Sequence, residues 1–106
     1  MTFLSATEIN NRIKRGDNYT LIDIREPYEV EVCSINSRNI PMASLIDYID
    51  ELKSVKNIVL ICRSGKRAES VANWLESDYN IPNIIVIEGG IIQWKEQVDR
   101  SLKIDD

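Results

Sequence analysis

One cysteine of this chain lies in a setting that favours a nucleophile, between an apolar run and a helix-like stretch. Cys62 follows the apolar run 57–61, and its segment continues with six residues: Arg63, Ser64, Gly65, Lys66, Arg67 and Ala68. A loop that joins a strand to a helix leaves backbone N–H groups unpaired, and the helix N-terminus adds about half a positive charge. Positive charge beside a cysteine stabilises the thiolate, which is the nucleophilic form. Residues 62–68, called the site loop below, therefore predict a catalytic thiolate surrounded by positive charge.

The charge of the site loop is opposite in sign to that of the whole chain. Three of the 13 basic residues, Arg63, Lys66 and Arg67, lie within five positions, although the formal net charge is −4. The alternative interpretation is a buried structural cysteine at the end of a core strand, followed by a solvated polar loop. The clustered positive charge, together with Gly65, favours the catalytic interpretation.

The residue types that are absent restrict the chemistry. The chain has no histidine, which excludes Ser-His-Asp and Cys-His catalysis and imidazole metal sites. Its two cysteines are too few for a zinc site of their own or for a disulfide framework, so reduced thiols are expected. No metal and no cofactor is predicted. The negative net charge argues against nucleic acid as the main partner.

Length and composition predict one soluble domain over residues 1–106, with 43% hydrophobic and 28% charged residues. The polar end, residues 99–106, is expected to fray. The first eight residues lack the apolar core of a signal peptide, and no apolar run has the length of a membrane span. We therefore expect a cytoplasmic monomer with no membrane partner.

The elements that must position Cys62 follow from hydrophobic periodicity. Apolar β-branched runs predict strands at 19–24, 57–61 and 83–87, and apolar residues at helical spacing predict helices at 6–15, 45–52, 68–79 and 91–98. Residues 26–32 are expected to form one helical turn. Strands that alternate with helices predict an α/β fold, in which a parallel sheet carries helices on both faces. Ligand sites of such sheets lie at the carboxyl ends of the strands, where both Cys62 and the segment 23–25 are placed.

Four segments in order make this chain resemble the rhodanese family of sulfurtransferases. They are Leu-Ile-Asp-Ile-Arg-Glu-Pro at 21–27, Ile-Pro-Met at 40–42, the site loop, and Glu-Gly-Gly-Ile-Ile-Gln-Trp at 88–94. The resemblance covers nearly the whole chain as a single domain. It implies a sheet of about five parallel strands and a cysteine that carries sulfane sulfur as a persulfide. It also implies that Cys62 is the nucleophile, that the rest of the site loop binds the anionic donor, and that Asp23 and Arg25 support the site.

The chain departs from the family pattern at two places. Many members have Gly-His-Ile-Pro-Gly-Ala before the Asn-Ile-Pro piece, where this chain has the segment 33–38. That segment lacks histidine, and the stretch that leads to Asn-Ile-Pro at 39–41 is one residue shorter than in those members. The persulfide mechanism does not depend on that histidine. Ala68 stands where a hydroxyl residue is common, so one donor to the persulfide is missing.

The mechanism implied is transfer of sulfur from an anionic donor such as thiosulfate through Cys62 to a thiol, cyanide or protein acceptor. The N–H groups of residues 64–68 are expected to stabilise the anion. Arg63 and Arg67 would hold the donor's oxyanion bidentately, and Lys66 would add a point charge, unless these residues are only a solvated charge run.

Two other functions remain open on the sequence alone. A cysteine phosphatase needs five residues between its cysteine and arginine, whereas four residues separate Cys62 from Arg67. A sulfur-carrier or binding module would load Cys62 without fast turnover, and the sequence does not separate it from an enzyme. Cys33 is interpreted as a small apolar residue rather than a resolving thiol, and Glu29 with Glu31 as a solvated face.

Overall fold

The predicted alternation of strands and helices produces one parallel sheet. The computed structural model describes residues 1–104, and within them five parallel strands lie in the order β1-β5-β4-β2-β3. The strands are β1 (Thr2–Leu4), β2 (Thr20–Asp23), β3 (Arg38–Asn39), β4 (Ile58–Ile61) and β5 (Ile85–Ile87). The helices are α1 (Ala6–Lys14), α2 (Pro27–Val32), α3 (Ile49–Ser54), α4 (Lys66–Tyr79) and α5 (Gly90–Gln97). The predicted α/β class and the five-stranded parallel sheet are confirmed.

The central strand β4 separates two hydrophobic cores. Side chains of a strand alternate between the two faces of its sheet. Ile58 and Leu60 accordingly pack in the cluster formed with α3 and α4, while Val59 and Ile61 pack in the cluster formed with α1 and α5. Cys62 continues the first set and lies in the cluster of α4. The period of the strand therefore directs the cysteine toward the helix that follows it.

Three details differ from the sequence-based expectations. The strands β1 and β3 were not predicted, because three and two residues are too few to show a period. The predicted helix at 45–52 is a 3₁₀ helix, Met42–Tyr48, that continues into α3. In the C-terminal segment, expected to fray, Leu102 and Ile104 pack against the core of α1 and α5. Residues 105 and 106 of that segment lie outside the described residues.

Among residues 1–104, no helix combines the length and the apolar character that crossing a bilayer requires.

Candidate active site

The carboxyl ends of β2 and β4 lie side by side, as the sequence predicts. Asp23 is paired with Ile61, the residue before Cys62, and the N–H of Ile24 donates to the Ile61 carbonyl at 3.0 Å. The segment 23–25 and the site loop therefore share one edge of the sheet.

The sulfur of Cys62 accepts hydrogen bonds from two backbone N–H groups. Gly65 N lies 3.1 Å and Ala68 N lies 3.4 Å from Cys62 Sγ, and the cysteine has no exposed surface. Ala68 belongs to the first turn of α4, whose amino end carries positive partial charge. Two oriented N–H groups and a helix terminus are arranged to stabilise negative charge on this sulfur.

The carbonyls of the same loop are bonded to another element. The N–H of Ile91 donates to the Cys62 carbonyl at 2.9 Å, and the N–H of Ile92 donates to the Arg63 carbonyl at 3.2 Å. Both donors lie in the first turn of α5, whose N–H groups have no partner within the helix. The start of α5 thus fixes the carbonyls of the loop while the N–H groups of Gly65 and Ala68 point to the sulfur.

Two glycines allow this close approach. Gly90 has φ +57, and a Cβ there would lie 2.2 Å from the Cys62 carbonyl oxygen and 2.6 Å from that of Arg63. Gly65, the N-cap of α4, has φ +97, and a Cβ there would lie 3.3 Å from Gly89 N. A side chain at Gly90 would separate α5 from the loop.

The guanidinium of Arg67 forms a bidentate ion pair with Glu29 of α2. Its Nη1 and Nη2 donate to the two carboxylate oxygens at 2.9 and 3.0 Å. These hydrogen bonds lower the pKa of Glu29 below its usual range and raise that of Arg67. The interpretation of Glu29 as part of a solvated face is wrong, because its side chain is only 13% exposed. The bidentate arrangement expected between Arg67 and a donor anion is made here with this carboxylate.

Asp23 and Arg25 form a buried ion pair beneath the site. Their side chains are 0% and 3% exposed, and Arg25 Nη2 donates to Asp23 Oδ2 at 2.8 Å and to the Cys33 carbonyl at 2.7 Å. Burial, the largest single effect, lowers the pKa of Arg25, but the hydrogen bonds and charge of Asp23, together with the hydrogen bond to the Cys33 carbonyl, raise it overall. Asn39 donates to the carbonyls of both residues. The network ties β2, β3 and the segment after α2 together, consistent with the supporting role expected of the pair.

The other predicted residues of the site loop differ in how far their side chains are exposed to solvent. Arg63 is half-buried, while Ser64 and Lys66 are exposed. Cys33 carries a free thiol and packs in the core of α1 and α5, the opposite cluster from Cys62.

Within residues 1–104, no group of three or more His, Cys, Asp or Glu side chains is placed to hold a metal ion.

Sequence reasoning missed the contributions of Glu29 and of the start of α5. A signal for Glu29 was present, since Glu26 and Glu29 form a capping box at the start of α2, with Pro27 in its first turn. The signal for α5 was the Gly-Gly pair, used above only as part of the family segment 88–94. Neither signal specifies a partner that is distant in sequence.

Comparison with known proteins assigns the chain to the same family that the sequence motifs resemble. The model of the rhodanese-like domain family matches residues 5–97. YtwF of Bacillus subtilis, whose assignment as a sulfurtransferase is provisional, is 31% identical over 94 residues that cover 87% of this chain and 88% of YtwF. The Drosophila virilis protein named adenylyltransferase and sulfurtransferase MOCS3 is 29% identical over 101 residues. That match covers 88% of this chain but 22% of the Drosophila protein, so the chain spans about a fifth of that relative's length.

A solved structure shows the same fold. The crystal structure of a rhodanese-related protein from Thermoplasma volcanium is 33% identical and has a TM-score of 0.78. The alignment covers 92% of this chain and 94% of that chain.

Replacing one member of the buried ion pair tests how much the pair contributes to the stability of the fold. Asp23→Asn leaves the Arg25 charge buried without its counter-charge, so we expect a loss of about 3 to 5 kcal/mol in the free energy of unfolding. Asp17→Asn is the matched control, because Asp17 pairs with Arg15 at the surface, where solvent screens the pair, and its loss should change the free energy of unfolding little. Urea unfolding of both variants measures the difference, and equal losses would contradict the assignment.

Adding a methyl group at Gly90 tests the contact between α5 and the loop. Gly90→Ala combines a left-handed backbone with overlap of two carbonyl oxygens, so we expect a loss of about 3 kcal/mol or more. Gly16→Ala is the control, since Gly16 has φ +99 but no atom within 4 Å of the position that a Cβ would occupy. It should lose about 1 kcal/mol from backbone strain alone. Thermal unfolding that ranks the two variants equally would show that the close approach is unimportant.

The ion pair of Glu29 predicts a pH-dependent contribution to stability. A glutamate with a lowered pKa in the folded state stabilises the fold above its unfolded pKa of about 4.3. That contribution disappears as the pH falls through the lower pKa of the folded state. Glu29→Gln should therefore be less stable than the wild type at pH 7, and the difference should shrink toward pH 3.

The exposed neighbour Glu31 provides the control. Glu31→Gln should change the free energy of unfolding little at any pH. Urea unfolding at several pH values checks this, and a Glu29→Gln deficit that does not vary with pH would contradict the ion-pair explanation.

Proposed function

Because this chain belongs to the rhodanese-like domain family of sulfurtransferases, we propose that Cys62 carries sulfane sulfur as a persulfide from an anionic donor to a thiophilic acceptor. The observation that carries this proposal is the pair of N–H groups, from Gly65 and Ala68, that point at Cys62 Sγ. They stabilise the Cys62 thiolate, which is the form that attacks the donor and the form that leaves when the acceptor takes the sulfur.

The first step loads the cysteine. The Cys62 thiolate attacks the outer sulfur of a donor such as thiosulfate, and the S–S bond of the donor breaks. Sulfite leaves with the electron pair, and Cys62 becomes a persulfide. No proton moves, which suits a chain that has no histidine to act as an acid or a base.

The second step unloads the cysteine. A nucleophilic acceptor attacks the outer persulfide sulfur, and the bond between the two sulfurs breaks. Cys62 leaves as the thiolate, so the cycle closes without an oxidant or a reductant. With cyanide as acceptor the product is thiocyanate, and with a thiolate it is a new persulfide.

Basic residues of the site loop position the donor. Arg67 uses one N–H of each terminal nitrogen on Glu29, and a guanidinium carries five N–H groups, so three remain for an anion. Its side chain is 36% exposed. Lys66 is exposed and adds a point charge, and Arg63 lies directly after the nucleophile. Glu29 fixes the orientation of the Arg67 fork.

A sulfur-carrier role is the second candidate. The observation that favours it is that this chain matches only 22% of the Drosophila relative, whose name combines two transferase activities. A domain of that kind would pass sulfur to a defined protein partner rather than turn over small molecules rapidly. Both roles require the Cys62 persulfide.

Intact-mass measurement after incubation with thiosulfate tests the shared step. We expect the wild type to gain one sulfur atom and Cys62→Ser to gain none, because serine has no thiolate to attack the donor. Cys33→Ser is the matched control and should load as the wild type does. Sulfur loading of the Cys62→Ser variant would contradict the proposal.

Steady-state thiocyanate production then separates the two roles. An enzyme turns over thiosulfate and cyanide repeatedly, whereas a carrier loads once and discharges slowly. Efficient hydrolysis of aryl phosphates without sulfur loading would favour the phosphatase alternative instead.

A further inference from the structure

Exposed apolar side chains are concentrated on the side of the molecule that holds the site. Seven large hydrophobic residues are exposed among residues 1–104. Four of them lie on the two helices that follow the carboxyl ends of β2 and β3, namely Tyr28 and Val32 of α2 and Met42 and Ile46 of the 3₁₀ helix. The other three lie on α1, on β1 and at the residue before β1. Of these four, Met42 also lines a groove against α4.

The groove at Met42 is open to solvent. Met42 forms one wall, and Ser70, Val71 and Trp74 of α4 form the other, around a volume of about 290 Å³. The ring of Trp74 is held edge-on against Tyr79, with centroids 5.1 Å apart. Pockets that enclose small ligands usually measure about 300 to 1,000 Å³. A shallow apolar groove of this size suits a single side chain presented by a partner.

Two distance estimates, one across the strands and one along α4, place the groove close to Cys62. The N–H of Met42 donates to the Ile24 carbonyl, and the N–H of Ile24 donates to the carbonyl of Ile61. Two strand spacings of about 4.8 Å therefore separate Met42 from the strand that ends at Cys62. Along α4, Ser70 lies about 7.5 Å from the N-cap Gly65. The groove is thus about 10 Å from the sulfur.

The end of the groove nearest the site loop is positively charged. Lys66 and Arg67 precede Ser70 and Val71 by one helical turn, on the same face of α4. Arg67 is paired with Glu29, whereas Lys66 makes no ion pair with any described residue. Glu69 lies about 100° or more around the helix from the groove residues. An acidic group beside the thiol of a partner would be complementary to this end.

We infer that this groove, with Lys66 at its end, docks a partner protein that carries an acidic group beside its thiol and accepts the sulfur from Cys62. The partner places a cysteine at the site and inserts an apolar side chain into the groove, about three extended residues away, because each extended residue spans about 3.3 Å. The partner's thiolate attacks the outer persulfide sulfur, the partner becomes the persulfide, and Cys62 leaves as the thiolate. The inference rests on the proposed function and adds the class of acceptor.

Short peptides test the docking directly. The probes are acetyl-Leu-Ser-Glu-Cys-amide and its counterpart with serine in place of leucine, each also made in the reversed order. The protein is first loaded with thiosulfate and freed of excess donor, and the rate constant of sulfur transfer to each peptide is measured. Burying part of a leucine side chain should make the leucine peptide about fivefold faster in one of the two orders.

Met42→Ser should remove this preference without changing discharge by cyanide. Ile13→Ser is the matched control, because Ile13 is an exposed apolar residue on α1, away from the site. It should keep the preference of about fivefold. Raising the salt concentration should slow both glutamate-containing peptides, because screening weakens their attraction to Lys66.

The possible failures are distinguishable. If the wild type neither loads sulfur nor discharges it to cyanide, the proposed function is wrong. If cyanide discharge is normal but leucine and serine peptides react equally in both orders, only the docking inference is overturned. A preference that survives Met42→Ser would also overturn it. So would a dimer that Met42→Ser dissociates in sedimentation, because a second copy of the chain would then occupy the groove.

Discussion

The site depends on two hydrogen bonds that the start of α5 makes to the carbonyls of Cys62 and Arg63. A loop whose N–H groups converge on one sulfur must direct its carbonyls elsewhere, and buried carbonyls require donors. The first turn of α5 supplies such donors, because its N–H groups have no acceptor within the helix. The arrangement is possible because β5 pairs with β4, which brings the helix after β5 next to the loop after β4. The strand order and the lack of a side chain at Gly90 are thus conditions for the geometry at Cys62.

Charge around the sulfur is organised in two layers. Below the site, the buried pair of Asp23 and Arg25 is neutral as a unit and is satisfied by further hydrogen bonds, so it links segments without adding net charge. At the mouth, Arg67 is oriented by Glu29 while Lys66 remains exposed. The positive charge at the mouth is therefore local, since the buried pair is neutral and the chain as a whole is negative.

Much of this could be predicted from the sequence, for identifiable reasons. The strands around Ile58–Ile61 and Ile85–Ile87 are apolar on both faces, and the position of Cys62 after β4 follows from the run itself. The family resemblance supplied the number of strands. Pairings between distant residues were not predictable, because nothing local in Glu29 specifies Arg67 and nothing in Ile91 specifies the Cys62 carbonyl. The strand β1 was missed because it owes its existence to β5, with which it pairs, rather than to a pattern of its own.

The order of the chain has a consequence for its synthesis. The site loop leaves the ribosome before residues 85–92, which supply both the neighbouring strand β5 and the donors of α5. The first strand, β1, also waits for β5, because that strand is its partner in the sheet. Since domains are made from the N-terminus onward, the donors of α5 reach the Cys62 and Arg63 carbonyls only after residues 85–92 have been made. The geometry around Cys62 is therefore completed by the last strand and helix of the sheet to be synthesised.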